Sequence, residues 1–311
     1  MMIQLAPISA DAVLIAGPTA SGKSAAALAV AERLGGTLIN ADSMQIYREL
    51  LVLTARPSAD EEQRVPHLLY GHVGVTEAYS VGRYQSDAAA ALAAVKASRR
   101  LPVFVGGTGL YFAALTEGLA EIPPVPGPVR EAVAARREAI GAEAFHAELA
   151  ARDPEAGARL RPADTQRTLR AMEVIEATGR PLSHWQAHKG EPVMAGLRLA
   201  RFVLSPPRAE LYARIDARFE AMLESGALAE ARALAGLDRR LPAAKILGLR
   251  PLQALAAGEL SRDEALAAAQ TATRHYAKRQ LTWFRHRMAD WVWLEGVGES
   301  NILPEILSHL S

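Results

Sequence analysis

The stretch GPTASGKS at residues 17–24 matches the pattern Gly-x-x-x-x-Gly-Lys-Ser/Thr at every required position. Residues 12–16 before it form a short apolar run of strand type, and residues 25–34 after it are rich in helix formers. This order of strand, loop and helix is the context in which the pattern forms a phosphate-binding loop, or P-loop. The stretch therefore predicts that the fold is built around a site for a di- or triphosphate.

Each part of the predicted P-loop has a physical role. Its glycines let backbone N–H groups point inward, the positive end of the following helix adds to their effect, and Lys23 supplies a full positive charge. Ser24 carries a hydroxyl suited to a magnesium ion, Mg²⁺. The predicted phosphate-binding residues are Gly17, Pro18, Thr19, Ala20, Ser21, Gly22, Lys23 and Ser24. The loop alone predicts nucleotide binding, most readily of ATP, but it does not identify the molecule that carries the phosphates.

The composition narrows the class of protein. With 35 Lys and Arg against 34 Asp and Glu in 311 residues, the net charge is +1, so a nucleic-acid surface requires local segregation of charge. The absence of cysteine excludes disulfides and thiolate metal sites. No run approaches the roughly 20 apolar residues of a membrane span, and removal of a signal peptide would delete the first strand. We expect a cytoplasmic monomer with no membrane partner.

Strand-like and helical segments alternate along the chain. Residues 37–40, 101–105, 199–205 and 291–294 are typical of strands, and residues 83–100 of an alanine-rich helix. This alternation predicts an α/β fold, a P-loop NTPase-like parallel sheet with helices on both faces.

A helical insertion interrupts this pattern. Four prolines between residues 121 and 128 predict a hinge, and the helical stretch after them contains predicted helices over 129–140, 142–152 and 162–178. Gly179 is placed to end the last of these. We predict a catalytic core over 1–122 and 197–311 and an inserted all-helical domain over 123–196.

Polar residues follow the first three predicted strands, at the edge where parallel sheets bind ligands. Asp42 has two chemical interpretations, a carboxylate that holds magnesium through water or a general base. A third interpretation is structural, a solvated turn residue. Thr108 could donate a hydrogen bond to a phosphate or a nucleophile, or be an ordinary turn residue. The turn at 106–108 has no acidic residue to position water, which disfavours ATP hydrolysis.

Two basic segments depart from the neutral average. Residues 273–288 hold five Lys or Arg residues and no acidic one, and residues 156–170 hold four arginines. A solvated face is the ordinary explanation of such a run. Because one segment lies on the core and the other on the insertion, they could instead grip a polyanion from two sides.

Seven segments together resemble the tRNA dimethylallyltransferase (tRNA isopentenyltransferase) family. They follow the order of that family and extend from residue 17 to about residue 287: GPTASGKS at 17–24, ADSMQIYR at 41–48, TARP at 54–57, VPH at 65–67, GGTGLY at 106–111, QRTLRAMEV at 166–174 and AKRQLTW at 277–283. Residues 49–54, and Leu249 after Gly248, depart from the usual pattern of the family.

The resemblance implies a reaction and roles for residues. Dimethylallyl diphosphate with Mg²⁺ would occupy the P-loop, and the acceptor would be the exocyclic amino group of the adenine 3′ of the anticodon in tRNAs that read U-starting codons. Asp42 would be the general base, with Lys23 and Thr108 also catalytic, and Arg218 would bind the diphosphate. The tRNA anticodon stem-loop would contact Asp42, Ser43, Met44, Gln45, Thr108, Gln166, Arg167, Thr168, Leu169, Arg170, Arg274, Lys278, Arg279, Gln280 and Leu281.

Two other functions share part of this evidence. An ATP-dependent small-molecule kinase would have the same loop and sheet and would form ADP. An RNA-binding regulator that only senses nucleotide would bind RNA without making a product. Release of diphosphate without a nucleotide requirement distinguishes the transferase from both.

Overall fold

A six-stranded sheet organises the larger of two units in the computed structural model, which describes residues 9–296 and 299–310. This unit covers the described residues up to Leu115 and from Gly196 onward. Its strands are β1 (Ala12–Ala16), β2 (Gly36–Asn40), β3 (His67–Leu68), β4 (Leu101–Gly106), β5 (Leu199–Leu204) and β6 (Val292–Leu294). They lie in the order β3-β2-β4-β1-β5-β6, and every neighbouring pair is parallel. The predicted parallel sheet is confirmed.

Both faces of the sheet are buried, as expected where helices cover a parallel sheet on both sides. Val13 and Ile15 of β1 pack with α1 (Lys23–Leu34) and α13 (Glu299–Ser308) in one apolar cluster. Leu14 and its register neighbour Phe104 alternate with these residues, so they point to the opposite face, and both are fully buried. Strands buried on both sides explain the apolar runs in the sequence.

Thirteen α-helices lie in the described residues. They are α1 (Lys23–Leu34), α2 (Ala59–Arg64), α3 (Val81–Ala97), α4 (Gly109–Thr116), α5 (Gly127–Arg152), α6 (Pro154–Arg159), α7 (Thr165–Thr178), α8 (Leu182–Gln186), α9 (Arg208–Glu224), α10 (Ala227–Ala233), α11 (Leu249–Ala256), α12 (Arg262–Arg287) and α13 (Glu299–Ser308). Within the described chain, none of them is both long and apolar enough to traverse a lipid bilayer.

The second unit, Thr116–Ala195, is helical and has a core of its own. Gly141 divides α5 into two helical segments because its φ of 80° and ψ of 167° are not helical, which confirms the two helices predicted there. Gly179 ends α7 in a left-handed conformation, also as predicted. The unit begins at Thr116 where the sequence placed its start at 123, and Val125 of the proline-rich segment is buried in the helical core.

Candidate active site

The P-loop joins β1 to α1 at the carboxyl edge of the sheet. Gly22 has a φ of 89°, a left-handed conformation that favours glycine, and α1 starts directly after it at Lys23. Lys23 is 8% exposed, and its Nζ donates to the Pro18 carbonyl oxygen at 3.2 Å. The Ser21 Oγ is buried and has no hydrogen-bond partner in the described part of the chain. The buried ammonium group of Lys23 is therefore part of a loop that can accept phosphate oxygens.

Burial lowers the pKa of two cations beside this loop. It lowers the pKa of Lys23 to about 8, although Asp42 opposes the shift and Arg218 adds to it. Burial also lowers the pKa of Arg218, with a contribution from neighbouring Arg214, but an arginine stays protonated at neutral pH. The predicted diphosphate ligands Lys23 and Arg218 therefore share one electrostatic environment with Asp42.

The Asp42 carboxylate is buried and held by two backbone N–H groups. Its Oδ1 accepts from Met44 N at 3.0 Å, and its Oδ2 accepts from Gly107 N at 3.1 Å. The side chain of Asn40 fixes the backbone of Asp42 through Asp42 N to Oδ1 at 2.8 Å and Nδ2 to the Asp42 carbonyl oxygen at 3.0 Å. Asp42 is therefore placed by two strand ends, and the solvated-turn interpretation is wrong because the residue is buried.

Thr108 connects the β4–α4 turn to the segment after β2. Its Oγ1 accepts from Ser43 N at 2.9 Å and donates to Ser43 Oγ at 3.1 Å. Tyr276 of α12 lies close to Thr108, and burial and the charge of Asp42 raise the pKa of Tyr276. Tyr276 therefore stays protonated at neutral pH.

A cavity in the larger unit combines these polar groups with apolar side chains. The polar part of its lining includes Thr19, Lys23, Ser24, Asp42 and Arg218. The apolar part includes five side chains on the loop after β2, on α9 and on the loop before α11: Leu53, Ile215, Phe219, Met222 and Leu247. The lining thus combines groups that suit an anionic group with groups that suit a hydrocarbon group.

Gln45 and Met44 follow Asp42 but differ in their surroundings. Gln45 is buried, and its Nε2 donates to the carbonyl oxygens of Thr54 at 3.1 Å and Ala55 at 2.6 Å. Met44 lines the cavity. Both were predicted to contact tRNA, and the structure shows that Gln45 also holds the loop that carries Leu53.

The predicted basic face of α12 is part exposed and part internal. Lys278 and Arg279 are exposed, whereas Arg274 pairs with Asp216 at 2.6 Å. Leu281 packs in an apolar cluster with Ala20 of the P-loop. Gln280 is buried, and its carboxamide bonds to protein backbone.

The other predicted tRNA contacts lie on α7 of the helical unit. Gln166 and Arg167 are exposed, and Arg167 pairs with Asp164 at 3.6 Å. Arg170 pairs with Glu173 at 3.9 Å. Thr168 and Leu169 are oriented differently, since the Thr168 hydroxyl donates within its own helix and Leu169 packs against the helical core.

Few side chains of the described site could hold a metal ion. Among the described residues, no three or more His, Cys, Asp or Glu residues are grouped so that they could hold a metal ion. Magnesium commonly keeps several waters and uses one or two protein ligands together with substrate phosphates. Ser24, whose side chain lines the cavity beside Lys23 and Asp42, fits that pattern.

Three residues at the site carried no recognised signal in the sequence. They are Asn40, Tyr276 and Arg214. Arg214 lies against the P-loop, since its Nη2 would be 3.4 Å from a β-carbon placed on Gly22. An asparagine at the end of an otherwise apolar strand is a clue for the first of these. Arg214 and Arg218 are one helical turn apart and share a face of α9, which was a usable clue for the second arginine.

Known proteins similar to this chain are enzymes that modify tRNA. The family model described as IPP transferase matches residues 45–287, and the model described as isopentenyl transferase matches residues 10–72. Proteins named tRNA dimethylallyltransferase from Nitrobacter hamburgensis and Azorhizobium caulinodans are each 56% identical to it, over 92% and 90% of this chain and 90% and 91% of theirs.

Solved structures show the same similarity. The full-length tRNA isopentenylpyrophosphate transferase from Bacillus halodurans is 33% identical, with a TM-score of 0.67 over 95% of this chain and 94% of that one. A eukaryotic dimethylallyltransferase acting on tRNA, at 24% identity, has a TM-score of 0.79 over 93% of this chain and 74% of its own. The second comparison shows a common fold.

Proposed function

The chain belongs to the IPP transferase family, and on that premise we propose that it transfers a dimethylallyl group from dimethylallyl diphosphate to tRNA. The acceptor is the exocyclic amino group of the adenine 3′ of the anticodon in tRNAs that read U-starting codons, and the diphosphate is released. The observation that carries the proposal is the mixed lining of the cavity, with Lys23, Asp42 and Arg218 beside Leu53, Phe219 and Met222.

The polar lining suits a departing diphosphate. As the allylic carbon–oxygen bond breaks, negative charge accumulates on the leaving group, and positioned cations and N–H groups lower the free energy of that transition state. Lys23, Arg218 and the P-loop amides supply such groups. Ser24 would hold Mg²⁺, which supplies further charge neutralisation on the diphosphate when bound.

Asp42 is suited to accept the proton from the adenine amino group as the carbon–nitrogen bond forms. Its carboxylate accepts hydrogen bonds from two N–H groups and lines the same cavity as the diphosphate ligands. Thr108 and Ser43 lie beside Asp42 and can orient the adenine. The adenine must leave its stack to reach this point, since the reacting amino group is otherwise enclosed in the RNA.

The exposed cations provide contacts for the anticodon stem-loop. Lys278 and Arg279 of α12, and Arg167 of α7, have exposed side chains suited to phosphate.

The kinase alternative lacks support because the family and its named relatives are transferases that act on tRNA.

The test incubates the protein with dimethylallyl diphosphate, Mg²⁺ and an anticodon stem-loop, and weighs the RNA by mass spectrometry. We expect one added five-carbon unit and released diphosphate with no nucleotide present. Asp42→Asn should slow turnover roughly 100-fold or more while RNA affinity stays close to that of the wild type. RNA of unchanged mass, under conditions where both substrates bind, would refute the transferase activity.

A further inference from the structure

We propose that Gln280 is a positioning residue that fixes the position of the Asp42 carboxylate relative to the P-loop. The proposal rests on the transferase activity proposed above. Gln280 lies on α12, far along the chain from both groups, and its side chain is 6% exposed.

The carboxamide of Gln280 bridges the two loops that form the site. Its Oε1 accepts from the backbone N of Thr19 at 3.0 Å, and its Nε2 donates to the carbonyl oxygen of Gly107 at 2.8 Å. The first bond reaches the middle of the P-loop, and the second reaches the turn after β4. One side chain therefore bridges the two loops, next to the backbone hydrogen bond from Gly17 N to the Gly106 carbonyl oxygen at 3.2 Å.

The Gly107 peptide carries this connection on to Asp42. While the Gly107 carbonyl oxygen accepts from Gln280, the Gly107 N donates to Asp42 Oδ2 at 3.1 Å. The fit is close, since a β-carbon at Gly107 would lie 2.2 Å from Gln280 Nε2 and 2.9 Å from Asp42 Oδ2. Any displacement of the Gly107 backbone therefore moves one of the two N–H groups that donate to the Asp42 carboxylate.

The residue type and its place on α12 support the same role. Ala277, Leu281 and Phe284 surround Gln280 on the buried face of the helix, where a polar side chain is costly unless it is fully bonded. A side chain that accepts from one backbone and donates to another must carry both a donor and an acceptor, as an amide, a hydroxyl or a neutral imidazole does. The two ends of the Gln280 amide make both bonds. Glutamate could accept from Thr19 N, but its carboxylate could not donate to Gly107.

The test compares Gln280→Leu with the wild type in steady-state transfer to a stem-loop. We expect kcat to fall about 10- to 100-fold, since small displacements of reacting groups cost that much, while KM for the RNA changes by less than about threefold. A direct contact with RNA would instead raise that KM. Gln253→Leu is the matched control, because Gln253 of α11 also donates to a backbone carbonyl oxygen, that of Leu234 at 2.7 Å, away from both loops.

A double-mutant cycle separates positioning from loss of stability. If Gln280 acts through Asp42, then Gln280→Leu should slow Asp42→Asn by less than about threefold, because the base it positions is already removed. Independent, multiplying effects would overturn the proposal, and so would an unchanged kcat in Gln280→Leu. If Gln280→Leu fails to fold, Gln280→Met carries the same cycle, since methionine is apolar and close to glutamine in length. A wild type that transfers nothing would refute the underlying activity, not this role.

Discussion

Burial gives Lys23 a property that an exposed lysine lacks. With its pKa lowered to about 8, the ammonium group is largely protonated at neutral pH but close to its titration range. A bound diphosphate favours the charged form, so binding above that pH must take up a proton. The affinity for the donor should therefore depend on pH through this one residue.

We expect the dissociation constant for dimethylallyl diphosphate to be flat below about pH 7.5 and to rise above about pH 8, by up to about tenfold per pH unit. The sign follows from the lowered pKa, since the free protein loses the lysine proton as pH rises while the complex keeps it. Calorimetric titration between about pH 7 and about pH 9.5 measures this. Lys23→Arg, weaker overall, should show no such rise because arginine stays charged. A flat wild-type curve would exclude Lys23 as the titrating cation.

At the scale of elements, α10 holds the loop that forms the apolar part of the site. The Glu230 carboxylate accepts three successive backbone N–H groups, from Leu51 at 2.8 Å, Val52 at 2.7 Å and Leu53 at 2.9 Å. Because Leu53 lines the cavity, this one carboxylate fixes the position of an apolar wall. Gln45 fixes the next two residues of the same loop, through the carbonyl oxygens of Thr54 and Ala55.

Glu230→Ala should loosen that wall. Loss of a charged acceptor for backbone N–H groups costs about 1–3 kcal/mol, so we expect KM for dimethylallyl diphosphate to rise about tenfold, with a smaller rise for Glu230→Gln, which keeps an acceptor. Transfer assays at varied donor concentration measure it. Glu224→Ala, at an exposed glutamate on α9, is the control and should match the wild type. If the donor KM in Glu230→Ala equals that of the control, the loop does not depend on Glu230.

Local signals predict most elements of this fold but not the bonds between them. The P-loop with its strand and helix, the left-handed Gly179 and the break at Gly141 all follow from neighbours in sequence. β3, with two residues, is too short for a periodic pattern. α7 starts at Thr165 and not at 162, because Asp164 before it has a non-helical ψ of 71°.

The same limit applies to the candidate site. Asp42 and Thr108 were predicted because each follows a strand, and strand ends meet at one edge of a sheet. The bonds of Gln280 to Thr19 and of Glu230 to Leu53 join residues 261 and 177 positions apart. No spacing or composition rule contains such pairs, since they depend on how α10 and α12 pack against the core. Supporting residues of the site were therefore the part that sequence reasoning missed.

For the whole molecule, charge is arranged so that a nearly neutral chain can still bind RNA. The net charge is +1, yet the last turns of α12 present Lys278, Arg279 and Arg285 to solvent. Elsewhere many arginines are paired with carboxylates, as Arg198 is with Asp11 at 3.0 Å. Lys278 has no carboxylate within ion-pairing distance in the described part of the chain, so its charge is available to a phosphate.

Replacing Lys278 by Ala should weaken binding of the stem-loop and reduce the slope of log K against log salt by about one, because one phosphate contact is lost with its released counterion. Filter binding over a salt series measures both quantities. Lys96→Ala removes the same charge from the whole molecule, but Lys96 is an exposed residue in the last turn of α3, which precedes β4 and so lies at the edge of the sheet opposite the P-loop. If binding followed net charge alone, the two variants would lose affinity equally. If the slope of log K against log salt changes only in Lys278→Ala, the RNA binds at α12. If the slope is unchanged in both variants, that face of α12 contacts solvent and not RNA.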